Sequence, residues 1–199
     1  LTNLFKGWPI RNIAVIAHPY ILSRVTYDIC NTYYQVGREE YHWKFPFNLF
    51  KQTYSSGLII KEQEGNLTVN CPKSGPRQFL SSLILNPIVN FFGLSHCNSR
   101  IEISLRMKEW LSDYDPEILY FQISNREGIA FAIKLIEYLK IPSAIHMMDD
   151  WPSTISLNGL FRNYWKRTID SEFRQLLNKV DLHMSISDAM SEEYAKRYN

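Results

Sequence analysis

Hydrophobic and polar positions follow two different regimes along the chain. The first clear element is RNIAVIAHP, residues 11–19. It is a short run rich in β-branched residues and stopped by Pro19, the pattern of a strand buried on both faces. From residue 20 to 76 the signals are mixed. GLIIKEQEGNLTVNCP predicts a hairpin about Glu64-Gly65-Asn66, and YHWKFPFNLF has no period and reads as irregular. After residue 98 the pattern becomes regular. NSRIEISLRMKEWL predicts a helix with Ile101, Leu105 and Leu111 on its apolar side, opened by a capping box from Ser99 to Glu102 and broken at Asp115-Pro116. EILYFQI is the next strand, and SNREGIAFAIKLIEYL is a helix with a capping box from Ser124 to Glu127. PSAIHMM is a strand. GLFRNYWKRTIDSEFRQLLNKV is a long amphipathic helix with Phe161, Trp165, Ile169, Phe173, Leu176 and Val180 on one stripe. DLHMSIS is a strand, and DAMSEEYAKRY a closing helix capped by Ser187.

Strands alternating with helices predict a mostly parallel sheet with helices on both faces, an α/β fold of Rossmann-like type spanning residues 1–199 as one domain. Composition adds little. The chain is 45% hydrophobic and 21% charged, ordinary for a globular protein. The net charge of +2 gives no reason to expect nucleic acid. The aromatic share, 14%, is high and fits a large core, a sugar-binding surface or a membrane-facing patch. Cys30, Cys71 and Cys97 are widely spaced with no C-x-x-C pair, so neither a zinc site nor a disulfide framework is expected. Reduced thiols point to the cytoplasm. The uncharged run QFLSSLILNPIVNFFGLSHCNS is broken by serines, asparagines and Pro87, and reads as a buried helix interrupted near Pro87, or else as a membrane-resting surface, rather than a membrane span. A start at Leu1 and an end at KRYN are expected of a piece of a longer protein.

Open parallel sheets bind ligands beyond the carboxyl ends of their strands. Three such ends are legible: AHPY, ISNREG and MMDDWP. At the last, Asp149 or Asp150 is placed to accept hydrogen bonds from sugar hydroxyls, act as a base or orient a neighbour, and Trp151 to stack on a sugar ring. The plainer alternative has one aspartate capping a turn and Trp151 in the core. His18, at the end of the first strand, is the histidine best placed for a site; His146 reads first as a core residue, and His42, His96 and His183 as structural or exposed. The eight glycines make no G-x-G-x-x-G and no Walker loop, and no G-x-S-x-G elbow occurs. Dinucleotide dehydrogenases, P-loop enzymes and serine hydrolases are therefore disfavoured. Arg162, Lys166, Arg167 and Arg174 lie beside Phe161, Tyr164 and Trp165, which predicts either a core stripe with a solvated basic flank or peripheral contact through residues 159–179 with anionic lipid.

HMMDDWPSTI, a basic and aromatic helix, and VDLHMSISDAMSEEYAKRYN together resemble the amino-terminal domain of a family 4 glycosyltransferase of the GT-B fold. Those enzymes commonly end a late strand in a Ser-Asp pair entering a helix, matched here by Ser187-Asp188. The resemblance runs over residues 98–199. Two features differ: many relatives have a glycine-rich loop where this chain has HPYILSR, and a histidine near FQISN, where none stands. Glu109 and Glu117 have the E-x7-E spacing but straddle the Asp115-Pro116 break, so the match reads as chance. The resemblance implies a retaining hexosyltransferase-type enzyme of bacterial surface polysaccharide synthesis that needs no metal or other cofactor. Its nucleotide-sugar donor would be held mainly by a second, carboxyl-terminal domain, and a glycan or lipid-linked acceptor by this one. It implies Asp149 and Asp150 as catalytic residues, and His18, Ser124, Asn125, His146, Trp151 and Ser187 as acceptor-binding. The expected location is the cytoplasm, with peripheral contact at the inner membrane face. The competing expectation is a non-catalytic Rossmann-like module that binds a ligand or protein.

Overall fold

The computed structural model describes residues 4–22, 30–45, 48, 54–60, 86–92, 99–154 and 160–198. Its strands are β1 (Ala14–Ala17), β2 (Thr32–Gln35), β3 (Tyr41–Trp43), β4 (Gly57–Ile60), β5 (Ser99–Ile101), β6 (Leu119–Phe121), β7 (Ser143–Met147) and β8 (Leu182–Ser185). The helices are α1 (Pro19–Leu22), α2 (Asn86–Phe91), α3 (Leu105–Tyr114), α4 (Arg126–Leu139), α5 (Trp151–Thr154), α6 (Arg162–Leu177) and α7 (Asp188–Tyr198). The fold is α/β with one parallel sheet, β6-β7-β8. The amino-terminal half is not part of that ladder. Strand β1 pairs in parallel with β2, but β4 joins β2 antiparallel, and β3 and β5 form a separate antiparallel pair.

The parallel sheet is built from consecutive strands, so its two crossovers advance in one direction and set α4 and α6 side by side on one face. Ile145 and Met147 point to that face. They pack with Ile129 and Ala132 of α4, Trp165, Ile169, Phe173 and Leu176 of α6, and Tyr194 and Tyr198 of α7. Each large apolar side chain removed from water here contributes about 1.5–3 kcal/mol. The alternate residues of the same strands, Tyr120 and His146, face the other way, where Phe5 packs edge-on against Tyr120 at 5.3 Å. A mostly parallel sheet is expected from the pattern, and the parallel sheet β6-β7-β8 with α4 and α6 packed on it is that part of the expectation. A second core cluster joins the halves: Tyr34 and Val36 from the β1-β2-β4 sheet meet Met107 and Leu111 of α3, Leu119 of β6 and Leu135 of α4.

Two helix starts differ from expectation. The stretch read as a helix from residue 98 begins as β5, and α3 opens only at Leu105. Ser104 takes the extended conformation, and its side chain accepts from Met107 N. The other start, α4, is capped by Asn125, whose side chain accepts from Gly128 N at 2.7 Å, rather than by Ser124. Glu102 and Glu127, freed from capping, accept hydrogen bonds from Lys134 and Ser99 instead. Ser187 does cap α7, accepting from Met190 N at 3.2 Å. YHWKFPFNLF, read as irregular, contains β3; GLII of the expected hairpin is β4, paired with β2, and the rest of that hairpin lies outside the described residues. So do Cys71, Cys97, His96 and most of the uncharged run, of which α2 is described. Among the described residues no helix is long and apolar enough to cross a membrane.

Candidate functional site

Parallel pairing aligns the carboxyl ends of β6, β7 and β8 on one edge, and β1 ends at His18. Beyond β7 the chain reads Met148, Asp149, Asp150, Trp151. The two aspartates separate sharply. Asp150 is bound by α7: Arg197 Nη1 donates to its Oδ1 at 2.8 Å and Nη2 to Oδ2 at 3.3 Å, a bidentate clamp. The Tyr194 hydroxyl adds a third donor at 3.3 Å. Burial pushes the Asp150 carboxyl up, but hydrogen bonds from Arg197, Ser153 and Tyr194 together hold it below the ordinary aspartate value. Asp149 is exposed, and among the described residues its carboxylate has no hydrogen-bond partner. Adjacent carboxylates repel, and here one is neutralised by an arginine while the other is left to solvent. Trp151 is buried and packs edge-on against Phe173 at 5.6 Å, so it belongs to the core and offers no face for a sugar to stack on.

At the end of β1, His18 sits in an aromatic wall. Its ring meets Tyr41 at 5.7 Å and Tyr54 at 5.6 Å, both edge-on. Burial lowers its pKa, so the imidazole is neutral at neutral pH. The crevice it lines with Val36, Gly37, Arg38 and Trp43 has a volume of about 10 Å³, room for one water molecule at most. A larger ligand would rest on its rim, where Arg38 is exposed. The wall continues as a polar chain. The Tyr41 hydroxyl lies 3.0 Å from Ser99 Oγ, which donates to Glu127 Oε1 at 2.6 Å. This chain runs from the end of β1 to the first turn of α4, beyond the end of β6. Tyr41, Tyr54, Ser99 and Glu127 were not legible as site residues. Only the aromatic density of residues 41–54 hinted at them, and Glu127 was hidden by its capping-box spacing.

The remaining predicted residues separate further. His146 Nδ1 lies 2.6 Å from the Tyr120 hydroxyl, which accepts from Gln122 Nε2 at 3.0 Å. This group lies on the sheet face opposite the helices. Ser124 is exposed, while Asn125 and Ser187 are occupied as helix caps. His18, His146 and Asp150 thus meet different neighbours: Tyr41 and Tyr54, Tyr120, and Arg197 with Tyr194. Cys30 is buried, donates to the Ile13 and Thr32 carbonyls, and has its thiol pKa pushed up by burial, which makes it unreactive. Among the described residues no three His, Cys, Asp or Glu side chains gather as a metal-ligand set. No protein-family model matches the chain, and neither a curated protein nor a solved structure is similar to it.

Proposed function

We propose that the chain is the acceptor-side half of a nucleotide-sugar-dependent glycosyltransferase with a Rossmann-like first domain. The observation that carries this reading is the chemistry at two strand ends. Beyond β7 stands an exposed carboxylate, Asp149, and at the end of β1, a strand of the other sheet, stands a neutral histidine set in aromatic rings, His18. The turn from β8 into α7 through Ser187-Asp188, with Ser187 as cap, supports the likeness that SISDAM suggests. On this reading Asp149 receives or orients a hydroxyl of the acceptor, and His18 with Tyr41 and Arg38 holds the acceptor's ring. Asp150 acts through position, anchoring the loop to α7 so that Asp149 stays at the edge. The donor is held by a second α/β domain of the full protein. Charge building on the leaving diphosphate would be met by dipoles and cations of that domain.

The test is a transfer assay on the full protein. Asp149→Asn is expected to lower turnover by on the order of a hundredfold with folding unchanged. Unaltered turnover would remove Asp149 from the chemistry. A second reading, a non-catalytic ligand- or protein-binding module, is favoured by the small crevice beside His18 and by the buried Trp151. It predicts that no sugar donor is consumed under any condition.

A further inference from the structure

Where α2 meets the start of α6, four large apolar side chains are left open to solvent. Leu160 is 60% exposed, Phe161 48%, Tyr164 61% and Phe91 55%. They form one surface: Leu160 N donates to the Phe91 carbonyl at 2.7 Å, and the Phe161 ring lies 6.2 Å from that of Phe92. Arg162, Lys166 and Arg167 surround this surface and are exposed. Among the described residues none of the three enters an ion pair, and no acidic residue lies in the first turn of α6. Phe161, the residue at its N-cap, provides no side-chain cap. An open groove of about 720 Å³ runs along the same helix, with Tyr164 and Arg167 in its wall and, further along, Glu172, which is paired with Arg126.

The rest of the expected basic helix is used internally. Arg174 stacks on Tyr198 at 5.1 Å and donates to the Arg197 carbonyl, and Trp165 is buried under the Arg126 guanidinium. The surface is therefore confined to residues 160–167 and α2.

We propose that this patch docks the protein on an anionic lipid surface, with the aromatic and leucine side chains at the acyl boundary and the three cations on the phosphates. Arginine beside aromatic side chains also marks protein interfaces, but three exposed cations with no ion-pair partner among the described residues suit a surface of phosphates. An interfacial bilayer takes that pattern directly. The proposal does not depend on sugar transfer.

Co-sedimentation with vesicles tests it, using phosphatidylcholine mixed equally with phosphatidylglycerol against phosphatidylcholine alone. The anionic vesicles are expected to bind at least about tenfold more tightly, and less so as salt is raised. Each cation at such a surface is worth about fivefold in partition, so the triple variant Arg162→Glu, Lys166→Glu, Arg167→Glu, which also adds three repelled carboxylates, loses at least about 100-fold. These side chains are exposed, and its circular dichroism should match that of the unaltered chain. Phe161→Ser is expected to weaken binding several-fold at every salt concentration. Equal binding to the two vesicle types, or to neither, overturns the proposal. So does self-association in sedimentation velocity that Phe161→Ser abolishes while vesicle binding is absent, which would assign the patch to a second copy.

Discussion

At the scale of single residues, the site loop is decided by how two neighbouring carboxylates are treated. Asp150 is about a third exposed and its clamp is screened, so Arg197→Met is expected to cost only about 1 kcal/mol at neutral pH. Because the Asp150 carboxyl is held below its ordinary value of 3.8, its contribution is fully present above that value and fades as the pH falls through the lowered one. Denaturant melts should therefore show the gap between the two proteins closing in acid. A gap that persists there would mean Arg197 acts through packing on Tyr194 and Tyr198 instead. Trp151→Ala is expected to cost about 3–5 kcal/mol, the loss of a core aromatic. A normal melt with weakened sugar binding would instead return Trp151 to the site. His18 carries the opposite sign from most surface histidines. Its pKa is lowered by burial from 6.5, so the unfolded chain binds more protons and His18 favours folding more as the pH rises. An NMR titration that placed His18 at or above 6.5 would contradict the aromatic enclosure.

At the scale of elements, the turn from β2 into β3 and the start of α3 are tied together by one buried carboxylate. Glu40 is fully buried and accepts from the Tyr34 hydroxyl at 2.8 Å, from Gly37 N at 2.9 Å and from Ser104 Oγ at 2.5 Å. Ser104 thus serves two ends, capping α3 and satisfying Glu40. Its replacement by alanine should lower stability by about 1–3 kcal/mol, read as a lower midpoint in thermal denaturation. Gly37 beside it cannot carry a side chain without movement, since an added Cβ would stand 2.3 Å from the Ser55 carbonyl carbon. The late elements were legible because each is a local pattern: the stripe of α6 and the Ser187 cap of α7 depend on neighbours within one or two turns. The cap at Ser104 is displaced from the nearest S-x-x-E spacing because β5 claims Ser99 by pairing with Trp43, a partner 56 residues away. Such a pairing leaves no periodic trace in the sequence. The chain from Tyr41 through Ser99 to Glu127 is illegible for the same reason.

At the scale of the whole molecule, the parallel sheet and its helices follow from alternation over residues 117–198, but the placement of residues 30–60 does not. β4 turns antiparallel and β3 leaves the main sheet to pair with β5, so the amino-terminal half departs from a simple doubly wound order. Among the described residues, the ends of β7 and of β1 carry the exposed Asp149 and the ring-enclosed His18. The measurement that tests this account most directly is calorimetric titration of a panel of nucleotide-sugars into this chain and into a longer chain that continues past Asn199. The account predicts heat of binding only from the longer chain, with this half serving the acceptor. Tight donor binding by this chain alone, or by neither, would contradict it.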